Sequence, residues 1–256
     1  MLLVIDVGNT ETVFGLYKQK TLQSHWRMSS RSNKSADECW ILLKSWMGED
    51  HYKIRDIKGI AISSVVPSLT RVLRWMTTDR FGIEPLVISA DTDTGMKVLY
   101  DSPRDVGSDR ICNAVAGFNL YGGPLIIVDF GTATTFDIIS ARGEYIGGAI
   151  ALGLQGASQE LHRLAAKLPK VELAFPAHVA GSTTEESMQS GIMWGTVAMI
   201  DGLIGMIREE MGWKEVRVIG TGGVAELLAG KSKTIEKVDP FLTLEGIRLI
   251  HERIKG

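Results

Sequence analysis

The feature that most limits what this chain can fold into is a segment that occurs twice. Residues 2–13 read LLVIDVGNTETV and residues 125–136 read LIIVDFGTATTF. Aligned without gaps, four apolar residues meet four apolar residues, Asp6 meets Asp129, Gly8 meets Gly131 and Thr12 meets Thr135. The offset of 123 residues is close to half of the 256-residue chain, a length that suits two domains. The division expected is a first domain over 1–120 and a second over 121–256. In each copy an aliphatic, β-branched run reads as a buried strand, Asp ends it, Gly allows a tight reversal, and a Thr-rich segment starts a second strand. Such a hairpin offers backbone N–H groups and hydroxyls to an oxyanion and a carboxylate to a cation. Two of them facing each other would hold a metal–polyphosphate from both sides.

The remaining sequence alternates strand and helix signals, which indicates an α/β fold. Strands are expected at 12–17, 21–27, 58–64 and 85–89, and helices at 35–46, 68–80 and 105–120, the last opened by Asp105 or Ser108. The second half should hold strands at 125–130, 134–140 and 144–150 and a helix over 154–166. Thr183-Thr184-Glu185-Glu186 reads as a capping box before a long apolar helix to about Met211. A strand at 216–219, the glycine turn Gly220–Gly223 and a last helix from Leu244 complete the pattern. The long helix is apolar nearly all round, more than one domain face needs, which suits a subunit interface. Met188, Met193, Met199 and Met206 within it are expected to be packing residues.

Composition removes several functions. Hydrophobic residues make up 45% and charged residues 23%, so a real core can form and disorder is excluded. A net charge of −2 without a basic cluster argues against a nucleic-acid binder. The basic stretch 27–34 reads as a solvated loop. Cys39 and Cys112 stand far apart and the five histidines form no HxH or HxxxH pair, so neither a disulfide framework nor a zinc site is expected. The N-terminal run lacks a basic flank, and the longest apolar stretches look strand-sized, short of the roughly 20 residues of a membrane span. A soluble cytoplasmic protein is expected.

Two nucleotide motifs are set aside. Ala225–Ser232 nearly fits a phosphate loop of the Walker type, but its first glycine is Ala225 and it falls inside a helical pattern, as a helix C-terminus with a Gly cap. Gly220–Ala225 matches a dinucleotide fingerprint, yet only about 30 residues follow, too few for the βαβ units it should open. It reads better as a glycine turn that presents backbone to a ligand. Tyr100–Arg110 crowds charges of both signs before an apolar helix face. There Gly107 permits close ligand approach, Asp109 can accept a hydroxyl proton and Arg110 can bind an anion. The helix N-terminus is expected to lower the pKa of Asp109.

Together these residues resemble a known family. Asp6-x-Gly-Asn-Thr, Asp129–Thr135 and the late Gly-Thr-Gly-Gly are similar to the phosphate and adenosine loops of the acetate and sugar kinase/Hsp70/actin superfamily. Tyr100-x-x-Pro103-x-x-Val106-Gly107-x-Asp109-Arg110 more specifically resembles the substrate motif of type III pantothenate kinases. Ser63–Pro67, Gly147–Ile150, Thr183-Thr184 and Met188–Gly191 fit the same pattern, so the likeness runs through the whole chain.

The resemblance implies two ribonuclease-H-like (actin-like ATPase) domains related by duplication, a homodimer, and ATP-dependent phosphorylation of pantothenate to 4′-phosphopantothenate. It implies ATP contacts from Asp6, Val7, Gly8, Asn9, Thr10, Glu11, Thr12, Val13 and Thr132, with Asp6 near Mg²⁺ through water. Asp109 would be the catalytic base. Asp129 would help hold a monovalent cation, K⁺ or NH₄⁺. Tyr100, Gly107, Ser108, Asp109 and Arg110 would line the pantothenate site, with Thr184 reaching it from the partner subunit. Neither nucleic acid nor membrane is an implied partner. Ser108, Asp101 and Ala151 depart from the common Ala, Asn and Pro of the family. Rival readings are another small-molecule kinase of the superfamily and a non-catalytic nucleotide-binding accessory protein. Intact Asp6, Asp109 and Asp129 favour the kinase.

Overall fold

Strand β1 (Leu2–Val7) forms where aliphatic and β-branched side chains follow one another, and Leu3, Val4, Ile5 and Val7 are fully buried. It belongs to a computed structural model that describes residues 1–31, 34–165 and 167–256. The basic stretch 27–34 falls partly on Ser32 and Asn33, and the expected end of the 154–166 helix on Ala166; these lie outside the described residues.

The chain divides into two units, Met1–Asn119 with Leu242–Gly256, and Leu120–Phe241. In the first, β1 pairs antiparallel with β2 (Glu11–Lys18), which pairs antiparallel with β3 (Thr21–Ser29). On its other side β1 pairs in parallel with β4 (Gly59–Ser64), and β4 with β5 (Leu86–Ile88). The order is β3-β2-β1-β4-β5. Three helices connect these strands and the segment after them: α1 (Ala36–Glu49), α2 (Pro67–Phe81) and, beyond the short β6 (Lys97–Val98), α3 (Ser108–Tyr121). Ser35 opens α1 with a complete capping box, its hydroxyl accepting from the Glu38 N–H while Glu38 accepts from the Ser35 N–H. Proline at the first position opens α2, and Gly82 ends it in the left-handed conformation at φ +66°.

The second unit repeats the topology. Strand β7 (Leu125–Phe130) pairs antiparallel with β8 (Ala133–Ile139), which pairs antiparallel with β9 (Glu144–Leu152). Helices α4 (Leu154–Leu164) and α5 (Thr184–Glu210) come next, then β10 (Arg217–Thr221), parallel to β7, α6 (Ala225–Ala229) and β11 (Lys237–Val238), parallel to β10. The near-Walker segment is therefore the short helix α6 together with its C-terminal turn, and it does not join a strand to a helix. Gly230 caps that helix at φ −63°, in the ordinary right-handed region, and the Lys231 ammonium lies over the Phe175 and Trp194 rings.

Three expectations need correction. The last helix, α7 (Leu242–Lys255), belongs with the first unit and not with residues 121–256, because it packs on β1 and β4. Gly246 makes this approach possible: a Cβ there would overlap the Cys112 backbone of α3. Second, α5 carries half of the expected capping box. The Thr183 hydroxyl accepts from the Glu186 N–H at 3.1 Å, but the Glu186 carboxylate reaches the N–H and hydroxyl of Ser182, both at 2.8 Å. Third, α5 is long and apolar enough, by length and composition, to cross a membrane, with a mean hydropathy of 1.4. The sequence pattern hid this because glycines and Asp201 interrupt its apolar run. One face packs on the sheet through Ile192, Met193, Val197, Ile200 and Ile204, whereas Met206 is 67% exposed instead of packed.

Because backbone cannot yield as a flexible side chain can, Gly246→Ala is expected to destabilise the protein by on the order of 3 kcal/mol. Urea unfolding measures it, and a loss below about 0.5 kcal/mol would contradict so tight an α7–α3 contact.

Candidate active site

The two hairpins differ in a way an ungapped alignment conceals. Val7 faces Thr12 across four loop residues, Gly8 to Glu11, whereas Phe130 faces Thr134 across three, Gly131 to Ala133. Side chains alternate faces along a strand, so one residue fewer exchanges the roles of neighbours. Thr134 is fully buried like Thr12, and Thr135, which the alignment pairs with Thr12, sits opposite Asp129. Thr12 donates to or accepts from Ser30 at 2.7 Å. Each loop is closed by a backbone bond from its glycine, Gly8 N–H to Glu11 O at 3.0 Å and Gly131 N–H to Ala133 O at 3.1 Å. Asn9, Glu11 and Thr132 are exposed at the tips.

The start of α3 holds the charged motif. The segment Pro103–Asp105 is a single 3-10 turn, and the helix proper opens at Ser108, which decides between the two expected starts. The Ile111 N–H bonds the Gly107 carbonyl, so Gly107 is the cap residue. The Asp109 carboxylate folds back to accept the Arg110 N–H at 2.8 Å, satisfying one of the unpaired amides of the first turn. A Cβ on Gly107 would overlap this carboxylate. The glycine therefore makes room for Asp109 itself, a closer reason than ligand approach.

Burial pushes the Asp109 carboxyl above the usual aspartate range, although the Arg110 amide and guanidinium pull it down. This reverses the expected direction: desolvation outweighs the helix terminus. Beneath lies Cys112, fully buried, its thiol raised by burial and then by the charge of Asp6. Cys39 and Cys112 are both free. Tyr100 is 38% exposed and Arg110 half-buried.

In the second unit, Asp129 sits where β7 meets the glycine turn after β10. Gly222 has φ +93°, and a Cβ there would lie 2.7 Å from both the Asp129 carboxylate and the Phe130 carbonyl oxygen. The glycine thus leaves carboxylate and carbonyl oxygens side by side. These are hard donors, suited to an alkali or alkaline-earth cation more than to zinc or copper. Among the described residues no group of three or more His, Cys, Asp or Glu could hold a metal. Thr184 is exposed at the first position of α5.

The first unit thus brings Asp6, residues 7–13 and Asp109 onto β1, its hairpin and α3, whereas Asp129, Thr132 and Thr184 belong to the second. Sequence reasoning placed Ser63 in the Ser63–Pro67 pattern but gave it no part in the site. Its buried hydroxyl lies 2.9 Å from that of Ser108, and only the parallel pairing Asp6↔Ser63 brings it to the site.

A sequence profile of the type III pantothenate kinase family matches residues 2–206. Type III pantothenate kinases of Moorella thermoacetica and Geobacter sp. strain M21 are each 48% identical, over 99% of both chains and 100% of both chains, respectively. Among solved structures, a protein described as a conserved Baf family transcriptional activator from Campylobacter jejuni superposes with TM-score 0.62 at 18% identity, covering 98% of each chain. The activator of 2-hydroxyisocaproyl-CoA dehydratase from Clostridium difficile, with bound ADPNP, gives 0.58 at 14%, covering 99% of this chain and 97% of that one. These structural likenesses show the fold: two ribonuclease-H-like units of the actin-like ATPase type.

The raised carboxyl of Asp109 has a consequence for stability. An acid whose folded pKa lies above its unfolded value of 3.8 loses stability as pH rises through that window. Asp109→Asn, which removes the buried charge, should melt at a higher temperature than the parent at pH 7. The gap should close as pH falls toward 3.8. Scanning calorimetry across pH reads this directly, and a lower melting temperature for the variant at pH 7 would contradict it.

Proposed function

The chain belongs to the type III pantothenate kinase family and phosphorylates pantothenate with ATP at the entry to coenzyme A synthesis; from that premise we propose that Asp109 is the catalytic base. The observation that supports this role is the burial of its carboxylate at the first turn of α3. A carboxylate with a raised pKa is a stronger base toward the hydroxyl it meets. It can orient the primary hydroxyl of pantothenate and accept its proton as the phosphoryl group transfers. Arg110, one residue on, offers a planar fork to the substrate's carboxylate, with Tyr100, Gly107 and Ser108 around it. Thr184 of the partner subunit completes that site.

Phosphoryl transfer needs positioning and charge neutralisation more than covalent help. Asp6, Val7, Gly8, Asn9, Thr10, Glu11, Thr12, Val13 and Thr132 hold the ATP phosphates through hairpin amides and hydroxyls. Asp6 would help hold Mg²⁺, which would supply neutralisation of the phosphate charge. Asp129 and the Phe130 carbonyl suit a K⁺ or NH₄⁺ ion. The protein works in the cytoplasm, where two buried free thiols are stable, and needs neither nucleic acid nor membrane.

It works as a homodimer through α5. Away from the sheet this helix exposes Gly191, Gly195, Ala198, Gly202 and Gly205, spaced alternately by four and three residues. The four glycines have open space where a side chain would stand. A second helix could approach closely along this face, and it covers apolar length that water would otherwise meet.

A coupled assay with ATP and pantothenate, with and without K⁺, tests the catalytic reading. Asp109→Asn should lower kcat by about 10²-fold or more, and K⁺ should stimulate the parent. Near-normal turnover of the variant would refute the base. Gly195→Glu with Gly202→Glu tests the dimer, since glycine is a poorer helix former than glutamate and α5 itself loses nothing. Sedimentation should shift from dimer to monomer, and an unchanged dimer would place the interface elsewhere.

A further inference from the structure

Ser108 is where this chain carries a hydroxyl and the pattern it resembles commonly has alanine. Its Oγ lies 2.9 Å from Ser63 Oγ, accepts the Ser64 N–H at 3.0 Å and reaches the Ser64 carbonyl at 3.3 Å. One hydroxyl at the first position of α3 thus meets the end of β4 at three points. That end is itself held from both sides. Ser63 and Ser64 pair with Asp6 and Val7 of β1, and the Ser64 hydroxyl accepts from Thr70 at 2.6 Å and from the Val66 N–H at 3.1 Å. The Ser63 side chain is itself fully buried.

We infer that the Ser63–Ser108 hydroxyl pair is a positioning device for Asp109, tying the first turn of α3 to the end of β4 so that the carboxylate stays on the hydroxyl it deprotonates. The inference rests on the reading of Asp109 as base. The Asp109 carboxylate bonds back to its own helix and Gly107 supplies no side chain, so the Ser108 hydroxyl carries the link from this turn to β4. The same network joins the Asp6 strand to the Asp109 helix, so the carboxylate assigned to the nucleotide and the one assigned to the acceptor share a single rigid support. The Ser108 hydroxyl belongs to this scaffold, and the substrate meets the main chain of the turn instead.

A double-mutant cycle tests it with Ser108→Ala, Asp109→Asn and both together. Ser108→Ala should lower kcat about tenfold through misplacement of the base, leave KM for ATP within about twofold, and move the acidic limb of the kcat profile. In the Asp109→Asn background the same change should have little further effect, because the residue acts through Asp109. Ser108→Thr, which keeps the hydroxyl, should restore most of kcat, and Ser63→Ala should reproduce the Ser108→Ala pattern. Equal losses in both backgrounds, or a loss confined to KM, would overturn the inference alone. Near-normal turnover of Asp109→Asn would overturn the base assignment and this inference with it.

Discussion

Burial of the Asp109 carboxylate at the first turn of α3 is the constraint on which the proposed catalytic arrangement depends. Burial raises its pKa and makes it a better base, at a cost in stability at neutral pH. Such a group is held only if its surroundings cannot relax around it. Gly107 leaves it space, the Arg110 amide gives it a donor, and Ser108 fastens the turn to β4. Helix α7 closes the arrangement from behind, where Gly246 brings it against the backbone at Cys112. Residues more than a hundred positions apart therefore bear on one carboxylate.

The two units solve one topological problem twice with different chemistry. Each places its acidic residue near the end of the central strand, paired antiparallel to a hairpin partner and parallel to a later strand. Beside Asp6 the parallel neighbour supplies Ser63, and beside Asp129 it supplies Thr221 and then the glycine turn. The first arrangement passes its influence to α3 and the proposed base on it. The second sets a carboxylate and a carbonyl oxygen beside Gly222. The three-residue loop of the second hairpin, against four in the first, is the local change that lets equivalent strands present different side chains.

Much of this was legible in the sequence. The paired apolar strands, the hairpins, the long helix and the Asp109 motif all arise from short-range patterns, which local sterics and hydrophobic periodicity impose. The sequence misled where an outcome depended on chain segments far apart. It assigned α7 to the second half by position, aligned Thr12 with Thr135 because no gap was visible, and lowered the Asp109 pKa because a helix terminus is local while burial is not. It also read Met206 as packing, although the packed face of α5 is set by which side meets the sheet.

By itself, then, the sequence determined the α/β class, the twofold repeat and the residue types able to hold phosphate, take a proton and bind a cation. Those are consequences of strand and helix periodicity and of side-chain chemistry. Only the tertiary structure decided that Ser63 meets Ser108, that α7 returns to the first sheet and that Asp109 is desolvated enough to reverse its pKa shift. Each of these requires strands and helices distant in sequence to be brought within hydrogen-bonding or van der Waals reach, and no local pattern encodes that distance.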